Sequence, residues 1–406
     1  MTYVHESMHM HFARPELASE LARQLRGEAA FGGLQNGLFL IAPRGTGTSS
    51  FLRLDLEPEL ARSRAVVVYV DLGADRRRDP AELLVDAVGR ALASQLRGLS
   101  ATIPKARLAA LGGALWPALE AGRTGAPEGT TLTDALCALQ EICARPVALI
   151  VDDAEHALTS EAGERAMAAL KQACVQLNAG AHVNLLLVMS GSHRDKLLRL
   201  LDASGAPFRG STIHSLPKLG VAYVEYVVRL IETRRPELRP VNRQALAEAF
   251  RAFRQRPAPF FVAVGNALNP MNDSGQRFEL QVQAAAVRCQ AAEADERETR
   301  YLALRPLEQA VLWRLLEQGR RFKIDDAESQ AFWATQCPWL PVTAVEVHAA
   351  LERLREREPP LVWRSARGEY AVEDAAMLVW YQERVRAGQW PPVAPRFGTP
   401  AAVRAS

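Results

Sequence analysis

The run Gly37-Leu38-Phe39-Leu40-Ile41-Ala42-Pro43-Arg44-Gly45-Thr46-Gly47-Thr48-Ser49-Ser50 decides how this chain is read. A short apolar run bounded by glycine has the length of a buried strand, and the turn after it is rich in Gly, Thr and Ser. Positions 42–49 overlay the phosphate-loop pattern GxxxxGK[ST] with two departures. Ala42 stands at the first glycine, and Thr48 stands at the lysine. Gly45 and Gly47 can supply the backbone geometry that turns N–H groups toward phosphates at a helix N-terminus. The candidate nucleotide-binding residues are Pro43, Arg44, Gly45, Thr46, Gly47, Thr48, Ser49 and Ser50, with Ser49 placed to set its hydroxyl on Mg²⁺. Thr48 keeps a hydroxyl but no charge. A hydrogen bond to a charged group contributes about 1.5–3 kcal/mol, and a preorganised donor to developing charge roughly 10²–10³ in rate. Loss of the lysine therefore weakens triphosphate binding and could nearly abolish hydrolysis. Arg44 lies at the other end of the loop and does not simply replace it. Taken alone, 43–50 could equally be a plain Gly/Thr turn.

A second motif follows about a hundred residues on. Leu149-Ile150-Val151-Asp152-Asp153-Ala154-Glu155-His156 is an apolar strand ending in paired acids, the Walker B pattern. Such a strand aims its carboxylates at a metal from the carboxyl edge of a sheet. Asp152 is the candidate to hold Mg²⁺ through water. Asp153 is the catalytic candidate, where a glutamate usually polarises the attacking water, and Asp is one methylene shorter. Glu155 is a second candidate for that role.

Around these motifs, apolar strands alternate with helices. Further strands are expected at 65–72, 183–189 and 212–219, and helices at 12–28, from Asp79-Pro80 through Leu92, at 133–144 and at 160–178. Pro58 suggests that the helix opening near Phe51 is short, and 99–130 resist assignment. Nearly all-apolar strands between helices imply a parallel sheet covered on both faces. From about 220 the pattern is helical only, at 221–234, 241–254 and 258–268.

The whole chain has 406 residues, 48% of them hydrophobic and 23% charged, with a formal net charge of +3. That length suits two or three domains, and so small a net charge does not argue for a nucleic-acid binder. Cys137, Cys143, Cys174, Cys289 and Cys337 form no CxxC pair and are odd in number, against a disulfide framework or zinc site. No apolar run is long enough to span a membrane, and the first residues lack an apolar signal core. A cytoplasmic location is the expectation.

With both motifs in order, the chain resembles AAA+/STAND P-loop ATPases, especially the bacterial and archaeal kind with a fused C-terminal winged helix, over roughly residues 10–385. The resemblance implies an α/β parallel-sheet P-loop NTPase of strand order 5-1-4-3-2, a helical lid, and ATP with Mg²⁺ as cofactors. Phe12-Ala13-Arg14-Pro15-Glu16-Leu17 loosely matches the family's FxGRxxEL segment and would place the adenine edge near 12–15. By the same resemblance Ser190, after the fourth strand, is the sensor 1 residue and a catalytic candidate. Arg209 falls where relatives carry an arginine near the fifth strand that could reach a nucleotide, and Arg256-Pro257 falls where they often carry Gly-x-Pro near the nucleotide, so that Arg256 could touch phosphate. The organisation expected is a nucleotide-binding domain at 10–219, a lid at 220–270, a partly helical linker at 271–300, a winged-helix-like domain at 301–386 and a disordered tail at 387–406.

The C-terminal pattern supports that last domain. Pro306–Gln318 is amphipathic, 325–335 can form a second helix, and Thr343-Ala344-Val345-Glu346 is a capping box for a third. Two strands flanking Ser365–Gly368 make a wing, and a final helix carries Met377, Leu378, Trp380 and Tyr381. Arg353, Arg355 and Arg357 on the third helix are offset by Glu346, Glu352 and Glu356. Wing residues Arg364 and Arg367 could touch phosphate. Trp313, Trp333, Trp339, Trp363 and Trp380 read as core.

Three functions remain open on the sequence. The chain could be an ATP-dependent switch or weak ATPase. It could be a pseudo-ATPase scaffold that kept the fold and lost the chemistry. It could also be a DNA-binding regulator or mobile-element accessory protein. Expected partners are ATP and either a protein or duplex DNA at the winged helix, with oligomerisation open and no membrane partner.

Overall fold

A computed structural model describes residues 11–28, 34–99, 132–202, 205–272, 277–338 and 341–393. The unassigned stretch 100–131, Trp339 and the tail from 394 lie outside the described residues. The chain divides into two compact units, residues 1–283 with 365–368, and residues 284–364 with 369–406.

The first unit is built on a five-stranded sheet, with strands β1 Leu38–Ile41, β2 Val66–Asp71, β3 Val147–Asp152, β4 Leu185–Gly191 and β5 Ile213–Ser215. Its order is β2-β3-β4-β1-β5, which read from the other edge is 5-1-4-3-2, and every pairing is parallel. This is the α/β P-loop NTPase sheet that the family resemblance implies, and its parallel pairing is what the apolar strand pattern implies. β3 and β4 are buried at every position, as strands covered on both faces must be. β2 is an edge strand and alternates buried with half-buried residues. Chain order jumps from β1 to β2 across β4 and β3, so the carboxyl ends around β1, β4 and β3 form a crevice at a topological switch point.

Helix α1, Pro15–Leu25, and the helix after β1 pack on one face with Leu38, Leu40, Ile150 and Val188. That second helix, α2, does not stop at Pro58 as the sequence suggested. It opens at Thr48–Phe51, widens to a π-helical stretch at Leu52–Leu56, and continues as Glu57–Arg62. Pro58 falls in the first turn after the widened stretch, where a missing N–H is tolerated. The widening lets Asp55 turn inward, where it accepts hydrogen bonds from His11 Nε2 (2.9 Å) and the Arg14 N–H (3.2 Å). The fifth strand is shorter than expected.

Three helices follow β5: α3 Val221–Arg234, α4 Arg243–Ala252 and α5 Pro257–Ala267. Tyr223, Phe250 and Phe260 hold them together with ring centroids 4.9 and 5.0 Å apart. Over the stretch 271–300, expected as a partly helical linker, one 25-residue helix forms, α6 Phe278–Leu302, within which the boundary between the two units falls. Alanine, glutamate, glutamine and arginine favour helix throughout it, and Glu293–Arg297 and Glu296–Arg300 add ion pairs one turn apart.

The second unit continues with α7 Pro306–Gln318, α8 Ala327–Gln336 and α9 Ala344–Glu356. An antiparallel pair, β6 Val362–Arg364 with β7 Tyr370–Val372, and a last helix, α10 Ala375–Arg386, complete it. The capping box forms, with Thr343 Oγ1 accepting from the Glu346 N–H and the Glu346 carboxylate from the Thr343 N–H (2.8 Å). Leu312, Leu315, Trp333, Leu351 and Trp380 share one core, and Trp313 packs against it half-buried. Trp363 is also buried.

Two glycines in the first unit test this packing with opposite signs. A Cβ at Gly163 would lie 2.1 Å from the Ala157 carbonyl oxygen, whereas a Cβ at Gly89, inside the helix Pro80–Leu99, would meet nothing within 4 Å. Gly163→Ala should destabilise by about 1–3 kcal/mol. Gly89→Ala should stabilise by about 0.5–1 kcal/mol. Urea unfolding of both variants checks the pair.

Candidate functional site

β1 delivers the chain to residues 43–47 at the carboxyl edge of the sheet. Gly45 (φ 77°) and Gly47 (φ 92°) take left-handed conformations that other residues rarely adopt. Gly47 leads into α2, whose first turn has no capping side chain. The first N–H groups of a helix lack intrahelical acceptors, so the loop ends in donors directed toward the crevice.

β3 and β4 supply the opposite wall. A cavity of about 340 Å³ is lined by Pro43, Arg44, Gly45, Gly47, Thr48, Ser49 and Ser50 from the loop, with Asp152, Asp153, Gly191 and Ser192 across from them. Pro257 and Ala258, at the start of α5, close a further side. Among the nucleotide-binding candidates only Thr46 stays out of the lining. It is buried, and its Oγ1 donates to the Pro43 carbonyl (2.7 Å), so it shapes the loop from within.

Asp152 is held from three sides. Ser190 Oγ, on β4, donates to Oδ1, as does the Asp153 N–H (3.2 Å). Tyr69, on β2, donates its hydroxyl to Oδ2 (2.8 Å). A carboxylate offers about four lone-pair sites, so roughly one remains on Oδ2. That suffices for a metal-bound water and not for bidentate coordination. Ser49 and Asp152 thus fit the sparse protein contribution that Mg²⁺ takes beside a phosphate ligand. Among the described residues no group of three or more His, Cys, Asp or Glu is arranged to hold a metal by itself. Ser190, expected at the nucleotide, is fully buried and outside the cavity lining, so its contact is with Asp152.

Asp153 follows in a left-handed conformation (φ 51°), which Asp and Asn tolerate better than most residues. Burial, reinforced by Glu155, pushes its pKa up to about 6, against the pull of Arg44. Its Oδ2 lies 3.9 Å from the Arg44 guanidinium, and 2.5 Å from where a Cβ on Gly73 would stand. Arg44 Nε also donates to Ser192 Oγ (3.2 Å), so this side chain spans the cavity mouth from the loop to the β4 exit.

Glu155 is not a candidate to polarise water. It is buried, and its Oε1 accepts from the N–H groups of Ser192 (3.0 Å) and His193 (3.3 Å). It fastens the turn after β4, and its other oxygen would lie 2.3 Å from a Cβ on Gly191. Arg209 is exposed on the approach to β5 and lies outside the lining. Arg256 is nearer, its side chain packing over Gly45, 3.5 Å from where a Cβ on that glycine would stand. Consecutive left-handed residues, Arg254 and Gln255 (φ 57° each), place it there.

Sequence reasoning missed Tyr69 and Asp71. Asp71 is in register with Asp152 on the neighbouring strand, and burial raises its pKa. The signal was available, because Val66–Asp71 is an apolar strand ending in an acid like β3.

No protein-family profile matches the chain, and no curated protein matches it either. Solved structures do. A Walker-type ATPase of Pyrococcus abyssi is 17% identical, covers 89% of this chain and 95% of its own, and has a TM-score of 0.44. The ADP form of the Aeropyrum pernix ORC2 protein is 14% identical over 93% of each chain, at 0.47. The Aeropyrum pernix ORC1 protein in complex with DNA is 13% identical over 92% of each, at 0.37. With all three below 0.5, the fold rests on strand order. No helix among the described residues is long and apolar enough to cross a membrane.

The raised pKa of Asp153 affects stability with a definite sign. The folded chain holds this proton more tightly than the unfolded chain does. The resulting stability is fully present below about pH 3.8 and is lost as pH rises through about 6. Asp153→Asn, which suits the left-handed backbone and does not titrate, should gain stability relative to wild type with rising pH. The gain between pH 4 and pH 8 should be on the order of 1–3 kcal/mol, read from paired denaturation curves. A difference that does not change with pH would refute it.

Proposed function

We propose that the first unit binds a nucleoside triphosphate with Mg²⁺ and works as a switch, with hydrolysis slow at best. One observation carries this reading. The phosphate loop and the acids at the ends of β3 line the same cavity. Pro43, Arg44, Gly45, Gly47, Thr48, Ser49 and Ser50 would contact the phosphates, and Thr46 would support them. Ser49 and Asp152 would hold Mg²⁺, which would offset phosphate charge. ATP is the working ligand.

Hydrolysis is disfavoured on three counts. Thr48 brings no charge to the phosphates. Asp153, the base candidate, is short, paired with Arg44 and half-protonated near pH 6. Ser190 orients Asp152 instead of reaching the ligand. If binding is also lost, the protein is a scaffold. Arg44 is the nearest replacement for the missing charge: an entering phosphate would compete with Asp153 for its guanidinium. Pro257 and Ala258 in the lining would couple the ligand to the α3–α5 lid, through which a population shift could pass.

For the second unit, the winged-helix reading favours a protein partner over duplex DNA. Base reading needs unpaired donors on the helix offered to the groove. Here Arg353 (2.7 Å) and Arg357 (3.2 Å) both reach the buried Glu308. Arg355 (2.7 Å) and Arg364 (3.2 Å) both reach Glu352. The DNA-regulator alternative would require these pairs to break.

Calorimetry of Mg·ATP binding tests the first unit. Wild type should bind, and Asp152→Asn should weaken binding at least about tenfold. Thr48→Lys should tighten it by roughly the 1.5–3 kcal/mol of a charged hydrogen bond. A wild type that is silent at millimolar ATP would leave the scaffold reading standing. For the second unit, duplex DNA should not be shifted by the full chain at about 0.15 M salt. A salt-dependent shift abolished by Arg364→Ala would restore the DNA reading.

A further inference from the structure

The Arg44 side chain is stretched between two acceptors. Its Nε donates to Ser192 Oγ (3.2 Å), and its guanidinium lies 3.9 Å from Asp153 Oδ2. Each acceptor is itself held by the surrounding fold. Ser192 Oγ donates to Oε1 of the buried Glu155 (3.3 Å), which also takes the Ser192 N–H (3.0 Å). With its proton committed there, the hydroxyl keeps its lone pairs for Arg44. Asp153 follows Asp152 in a left-handed conformation, and its Oδ2 stands in the room left by Gly73. Arg44, Asp153 and Ser192 all line the cavity, so the arginine forms a strap from the phosphate loop to the β3 and β4 ends. The strap is half exposed, at 52% for the Arg44 side chain, and a pair so exposed to water is weak enough to open.

The anchors also indicate which part of a ligand would meet this arginine. The N–H groups of a phosphate loop cradle the inner phosphates, while the metal bridges the outer two. Asp152, the metal candidate, and Asp153 are neighbours at the end of β3, and the strap is tied to that end. A terminal phosphate drawn toward Asp152 would therefore arrive beside the guanidinium. The planar fork of arginine suits phosphate oxygens as well as it suits a carboxylate, so one anion can replace the other.

We infer that Arg44 is the residue that distinguishes a nucleoside triphosphate from a diphosphate, bridging Asp153 and Ser192 until a terminal phosphate takes their place. This rests on the nucleotide-site reading above and goes further in assigning the selection to one side chain. A diphosphate ends short of the strap and leaves it closed. A triphosphate opens it and so releases the Asp153 carboxylate and the Ser192 hydroxyl. A site rejects an analogue most strongly when its own polar groups are left unpaired by the exchange. Here the guanidinium falls back on its own partners, so the discrimination should be modest.

The test is calorimetry with Mg²⁺ and, in separate titrations, ATP and ADP. It uses the full chain as wild type, Arg44→Ala, Asp153→Asn and the double variant. Wild type should bind ATP about tenfold more tightly than ADP, the scale of a charged hydrogen bond. Arg44→Ala should lose most of that preference by weakening ATP about tenfold, with ADP held within about twofold as evidence of an intact fold. Asp153→Asn frees the strap and should tighten ATP by about two- to fivefold, the range of a half-exposed ion pair. That gain should vanish when Arg44 is also replaced. Equal weakening of ATP and ADP by Arg44→Ala would assign Arg44 to the inner phosphates. It would overturn the inference and leave the nucleotide-site reading intact. An Asp153→Asn gain as large without Arg44 as with it would mean that the carboxylate merely repels the ligand, and would also overturn the strap. Silence of all four chains at millimolar nucleotide would overturn the nucleotide-site reading and this inference with it.

Discussion

The carboxylate of Asp152 is the point on which the first unit turns. It collects a hydroxyl from β2, a hydroxyl from β4 and the N–H of its own neighbour. Three adjacent strand ends are thereby pinned to one anion. Buried carboxylates are tolerated only when their lone pairs are satisfied, and here about three of four are. The arrangement fixes where a charge must sit before any ligand arrives. It also explains why the cavity forms here: the loop after β1 faces an edge already made rigid by these bonds.

Much of the sheet could be read from the sequence, because parallel strands buried on both faces leave an unmistakable apolar run. β3 and β4 are cases in point, and the order 5-1-4-3-2 is observed. The helix Phe278–Leu302 was harder. It has polar residues on nearly every side, so periodicity was weak, and only its helix-forming composition marked it. Pro58 misled for a different reason, since a widened turn upstream absorbs it. At the site, the loop and the paired acids were visible as motifs. Which side chains face the cavity was not. Thr46, Ser190 and Glu155 all turn inward to hold backbone or carboxylate, and nothing in their spacing distinguishes a supporting residue from a contacting one. Tyr69 and Arg14 act across long sequence separations, 83 residues to Asp152 and 203 to Pro217, where a single sequence carries no pairing signal.

The cavity's electrostatics differ from those of a lysine-bearing loop. Positive charge comes from Arg44 at the mouth, and it is shared with Asp153 instead of being aimed inward from the helix start. A charge held at the rim attracts anions and screens the acids behind it. It contributes less to a developing charge deep in the site, where preorganised donors have their largest effect. On the function proposed above, binding and turnover would be separable, and these residues would favour the first.

Gly73 has a consequence that reaches past packing. Its missing side chain is what lets the Asp153 carboxylate settle 2.5 Å from the place a Cβ would fill. Any larger residue there would force that carboxylate to move, and with it both the burial and the Arg44 contact that set its proton affinity. The acidity of this edge thus depends on a glycine that carries no ionisable group.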